Sequence, residues 1–174
     1  MGVLSGNPKD EPLHYGEIFN LWQFSASTKM SLSTFQAFHY HAGDQDLKEV
    51  IDNFIDQVHR EIKECDELLK THGIIPPPGL PDRPSVKLED IPAGARFSDP
   101  EIAAALSAAA SLGLVVCSQA MGTSIREDLG AMFMKFHAQM AALGLQVLKM
   151  NKKKGWLVPP PLQLQLKTPE PVLV

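Results

Sequence analysis

Two proline-free stretches, 13–75 and 101–158, flank a segment holding seven of the chain's fourteen prolines. Proline removes a backbone donor and clashes with the preceding helical turn, so two such runs of about sixty residues leave room for long uninterrupted helices. Both runs carry apolar residues at steps of three and four, which predicts two helical hairpins joined by a crossover. With 174 residues, 44% of them hydrophobic, the chain can build one core in one domain.

The first helix is expected from about Pro12 or Leu13 to Ala42, with His14, Ile18, Leu21, Ser25, Thr28, Leu32, Phe35 and His39 on one face and Trp22 widening it. Asp44 is a natural N-cap for a second helix, whose face carries Leu47, Ile51, Phe54, Val58, Glu61, Cys65, Leu68 and His72 before Gly73 and Pro76 end it. Its other positions are mostly charged and belong to a solvated outer side. Ser98 and Glu101, with Pro100 between them, form a capping pattern for a third helix. Ser124 and Glu127 repeat the pattern for a fourth, which buries Ile125, Leu129, Met132, Phe136, Met140, Leu143, Val147 and Met150 and stops near Gly155.

Short turns at Gly43 and near Ser124 force each pair antiparallel. The connection 74–98 can reach on the order of 80 Å, against about 45 Å for a thirty-residue helix, so it can cross the whole bundle and set helix three parallel to helix two. The expected fold is all-α, a ferritin-like four-helix bundle with a long crossover between helices two and three. The bundle should occupy 13–158, after a disordered segment 1–12. A Pro/Leu-rich tail follows at 159–174, where Leu162, Leu164 and Leu166 alternate, as in a flexible tail or an edge strand added to a partner.

Helix three carries no charged residue from Ile102 to Ile125, which an outward face in water would not tolerate, so it should be covered on more than one side. Its length would suit a membrane span, yet Ala, Ser and Gly dominate and Gln119 interrupts it; no membrane insertion is expected. The small residues Ala103, Ala104, Ala108, Ala110, Ser111 and Gly113 fit close packing and a homodimer seam through helix three better.

Several pieces together resemble the uncharacterised ferritin-like proteins of endospore-forming bacteria that are related to spore coat protein F. They are Glu17 with Leu21-Trp22, Pro76 to Gly79, Arg96-Phe97-Ser98-Asp99, Ile125-Arg126-Glu127-Asp128, Lys154-Gly155-Trp156 and Pro159-Pro160, spread over Leu13 to Pro161. The resemblance implies a bundle fold and a link to spores, and brings no established catalytic residues with it.

A net charge of -4 and a pI near 5.8 argue against nucleic acid as a partner, and Lys152-Lys153-Lys154 is too short a run to reverse that. Cys65 and Cys117 sit on apolar stripes, as reduced thiols of an intracellular protein do, and the start of the chain shows no signal peptide. A carboxylate-bridged pair of Fe, Mn or Zn ions would need a Glu from each of two helices and Glu-x-x-His from the other two. Helix three has only Glu101, and Met134 stands where a carboxylate should precede His137. Glu11 to His14 contains Pro12, and in Asp56 to His59 the histidine falls off the stripe.

Two weaker groupings remain. Ser25, Glu61, Gln119 and His137 fall at one middle height, as a buried polar layer in which Glu61 bonds His137, as a mononuclear metal site, or with one of Glu61 and His137 facing outward. His14, Glu17, His72 and Asp128 fall together where helix one begins, either as helix-end residues, with Glu17 paired to Arg126, or as a metal or small-ligand site. The expected function is non-enzymatic: a spore-associated bundle, made in the cytoplasm, binding other proteins such as spore coat components. A metal-binding redox protein and a small-ligand-binding bundle are the competing readings.

Overall fold

The computed structural model describes residues 6–7 and 10–163. Four helices form it: α1 (Tyr15–His41), α2 (Gln45–Thr71), α3 (Asp99–Thr123) and α4 (Glu127–Lys154). Among the described residues there is no strand, and the all-α bundle expected from the sequence is the fold.

Capping chemistry sets the direction of the helices. Asp44 caps α2 by accepting the Leu47 amide at 3.1 Å, and Asp99, the first residue of α3, accepts the Gly43 and Asp44 amides at 2.7 and 3.1 Å. The start of α3 is thereby fixed beside the start of α2. At the opposite end the His14 ring lies 3.3 Å from the Thr123 carbonyl, and Asn20 donates to the Thr123 hydroxyl, so the end of α3 meets the start of α1. Helices α2 and α3 therefore run parallel, and 72–98 crosses the bundle's full length.

The crossover is laced down α1. Trp22 Nε1 donates to the Ile75 carbonyl, Lys29 Nζ to that of Pro77 at 2.6 Å, and Arg83 Nε returns a bond to the Ser33 carbonyl at 2.7 Å. Phe97 then packs edge-on against Phe38, and its amide donates to His41 Nδ1.

The core has two apolar clusters. One centres on Phe35, Phe54, Leu106 and Val147; the other holds Leu21, Phe24, Cys65, Cys117, Phe133 and Phe136. Phe24 stacks on Phe136 at 5.7 Å and meets Phe133 edge-on at 5.3 Å. Each such side chain contributes roughly 1.5–3 kcal/mol by leaving water.

Several faces turn relative to the sequence reading. On α1, Ile18, Leu32 and His39 are only half-buried, while Glu17, Phe24, Ser33 and Phe38 point inward, because α1 packs against both the core and the crossover. Leu69 takes the place of Leu68, and Phe133 that of Met132. Ser124 does not cap α4. It closes α3 by donating to the Ala120 carbonyl at 2.7 Å, Arg126 occupies the N-cap position, and Ile125 is 53% exposed. Of the amino-terminal segment expected to be disordered, Glu11 is instead buried, and the alternating Leu164 and Leu166 lie outside the described residues.

The small residues of α3 divide between two faces. Ala103 and Ala110 are buried, and a Cβ on Gly113 would meet Met140 Cγ at 3.0 Å, so Gly113 lets α4 approach closely. Ala104, Ala108 and Ser111 face solvent, as do Leu112 (64% exposed) and Val115 (63%). Coverage of α3 on more than one side is thus not achieved within one chain.

Candidate functional site

The residues expected to cluster at the start of α1 do meet, around a side chain that was not expected to organise them. Arg126 is 1% exposed. Its guanidinium forks onto Asp128 (Nε–Oδ1 3.0 Å, Nη2–Oδ2 2.7 Å), while Nη1 donates to the Glu11 carbonyl at 2.9 Å and to His72 Nε2 at 2.7 Å. That hydrogen bond holds the Asp128 carboxyl below its ordinary range. His72 Nδ1 lies 2.9 Å from the Leu68 carbonyl, which assigns its proton to Nδ1 and leaves Nε2 to accept from Arg126.

Glu17, fully buried, does not pair with the Arg126 guanidinium. Its Oε1 accepts the amides of Ile125 and Arg126 at 2.8 and 3.0 Å, and Oε2 accepts the His14 amide at 3.1 Å, closing a capping box with the His14 ring. One carboxylate thus serves the start of α1 and the chain leading into α4. For a metal the group is unsuited: Glu17, His14, His72 and Asp128 have their donor atoms engaged, and a fixed guanidinium cation stands at the centre.

The middle layer is not assembled as expected. Ser25 donates to Asp66 at 2.6 Å, and His137, half-buried on α4, makes no hydrogen bond or ion pair among the described residues. Glu61 is 1% exposed and receives the Gln57 amide at 2.8 Å, from one turn earlier on its own helix. Gln57 also donates to Gln139 at 2.8 Å and is oriented by Arg60 at 3.0 Å. Burial pushes the Glu61 carboxyl up to about 7, because ionising it in an apolar setting costs solvation that one amide does not replace. The same burial raises the Cys65 thiol and pushes that of Cys117 up to about 12, so neither is a ready nucleophile. No group of three or more His, Cys, Asp or Glu side chains is placed to hold a metal ion among the described residues. A dimetal centre does not fit the donor set.

Glu61 does reach a cavity. A space of about 440 Å³ lies between α1 and α3, floored by Glu61, Phe54, Val58 and Met140 and opening past Phe19, Gln23, Leu112 and Gln119. Among these lining residues Glu61 is the one ionisable group.

The family described as "Protein of unknown function (DUF3231)" matches residues 1–168. The chain belongs to the DUF3231 family. Among its relatives is the uncharacterized protein YvdQ of Bacillus subtilis (strain 168), 48% identical over 165 residues that cover 95% of this chain and 97% of YvdQ. The crystal structure of a "putative spore coat protein" from Bacillus halodurans C-125 superposes with a TM-score of 0.90 at 48% identity, over 91% of this chain and all of that one.

In this DUF3231 chain the sequence reading missed Gln57 and Gln139, the partners of Glu61, and the cavity itself. Gln57 stands four residues before Glu61, a spacing that juxtaposes side chains on a helix and was a usable signal. The cavity left no such trace, since it depends on how far α1 stands from α3.

Proposed function

We propose that this DUF3231 protein is a spore-associated, ferritin-like bundle related to spore coat protein F, which works by binding other proteins and catalyses no reaction. The observation that carries this reading is the end-to-end likeness, at 48% identity, to the Bacillus halodurans protein named for the spore coat. The single long crossover supports the ferritin-like part.

The contact surface in this reading is the outward side of α3. Ala104, Ala108, Ser111, Val115, Ser118 and Gly122 recur at steps of four and three and are all exposed. A second copy suits this stripe, because two chains of net charge -4 can meet across an uncharged face without bringing like charges together. Within residues 93–123 a stretch of 18 residues reaches a mean hydropathy of 1.7, enough to cross a membrane by length and composition. We assign them to protein contact instead, given the small residues, the serines and the tie from Asp99 to the turn before α2. Neither nucleic acid nor a resident Fe, Mn or Zn ion has a part in this function.

In this account the chain is made in the cytoplasm and deposited in the spore coat. A tagged copy replacing YvdQ in sporulating Bacillus subtilis tests it. Recovery in the coat extract of purified spores is expected; recovery only in the cell lysate, with none in spores, would overturn the reading. A second reading, a small-ligand-binding bundle, is favoured by the cavity that ends at Glu61.

A further inference from the structure

An apolar cavity with one acid at its floor sets a narrow chemical specification for a guest. Its inner wall is made by Phe24, Phe35, Phe54, Val58 and Met140, all buried, and its volume of about 440 Å³ falls in the range of sites that enclose small molecules. The rim carries exposed side chains and no charge. At the floor, Glu61 Oε1 is taken by the Gln57 amide, whose own orientation is fixed by Arg60 and Gln139, while Oε2 makes no hydrogen bond among the described residues. Around Glu61 the other ionisable groups are Arg60, Glu64 and Cys65 on α2 and Cys117 on α3; α1 and α4 contribute none to the cavity lining.

We propose that this cavity binds a small primary amine with one apolar body, its ammonium on the free oxygen of Glu61 and its body against the phenylalanines of α1 and α2. The inference rests on the ligand-binding reading and is independent of the spore reading. An anionic guest would meet a carboxylate with no cation in the lining to offset it. A metal ion would find one available oxygen. A wholly apolar guest would leave Glu61 Oε2 covered without a partner, and a diamine would bury its second ammonium against apolar walls. With the carboxyl pushed up to about 7, the empty site is part protonated in neutral solution. Binding of the ammonium then transfers that proton to solvent and leaves a carboxylate–ammonium pair, so the amine should bind more tightly as the pH rises from 6 to 8.

Three probes of one shape separate the possibilities in calorimetric titrations of the full chain: phenylbutylamine, phenylbutanol and phenylbutyrate. We expect one phenylbutylamine per chain, bound about tenfold or more tightly than phenylbutanol, a gap of about 1.4 kcal/mol, with phenylbutyrate weakest. Glu61→Gln keeps an acceptor for Gln57 and should remove that preference while leaving phenylbutanol within about threefold of its original affinity. Equal binding of amine and alcohol, an amine affinity unchanged by Glu61→Gln, or no binding by the folded chain would each overturn the proposal. Amine binding lost as protein concentration rises would also overturn it, since a second copy would then be the occupant.

Discussion

Glu17 and Glu61 are both buried glutamates, and they differ in how many hydrogen-bond donors each one finds. Glu17 accepts three backbone amides. Glu17→Ala should cost on the order of 3 kcal/mol, because one buried and two part-buried backbone donors lose their acceptor at once, and urea unfolding would measure it. A loss below about 1 kcal/mol would mean that water replaces the carboxylate there. Glu61 accepts one side-chain amide and has its carboxyl pushed up to about 7 from an ordinary 4.5. Between those two values the folded chain holds a proton that the unfolded chain has released, so stability falls as pH rises from about 4.5 to about 7 and is level above that. The full penalty is on the order of 3 kcal/mol. Glu61→Gln should therefore be more stable than the parent at pH 8 and should flatten that part of the pH profile. An equal fall in both proteins would place the titration elsewhere. The acids themselves were visible in the sequence, Glu61 on its stripe and Glu17 beside one. Glu17's partners were hidden because the sequence suggested a charge pair with Arg126, whereas the bond goes to that residue's backbone, which every residue type shares.

At the scale of elements, capping and periodicity were legible where the signal is local. Asp44 and Ser98 with Glu101 start α2 and α3 as expected, the Ser98 amide and hydroxyl both donating to Glu101 at 2.7 Å, and Gly155 ends α4 with a φ of 73°. The Ser124 pattern failed because its hydroxyl turns back to the Ala120 carbonyl, while Glu17 on another helix takes the Ile125 and Arg126 amides. Local sequence cannot report a cap that arrives from more than one hundred residues away. The crossover is held by Lys29, which bonds Asp66 at 2.7 Å and the Pro77 carbonyl at 2.6 Å, while Ser25 takes the other Asp66 oxygen. Lys29→Met keeps the stem and removes the ammonium. It should cost about 1–3 kcal/mol and speed proteolysis within 79–96, with helical circular dichroism unchanged. Unaltered proteolysis would show that Trp22 and Arg83 suffice to hold the strap.

For the whole molecule, the proline distribution already implied two hairpins and a crossover long enough to traverse them, and the bundle has that form. The spacing between hairpins was not readable, and the cavity depends on it. Nor could the sequence say what covers α3: a run of 24 residues without charge is compatible with a core, a seam or a lipid face. In the single chain that helix is half open, and we assign the open side to protein partners. A photo-crosslinking residue placed at Val115, on the open stripe, and in a second strain at Lys63, on the charged side of α2, reads this directly inside spores. Covalent adducts to a second copy or to coat proteins from position 115, with none from 63, is the predicted result. Purified spores that contain the protein yet give no adduct from position 115 would contradict the claim that it works through this face.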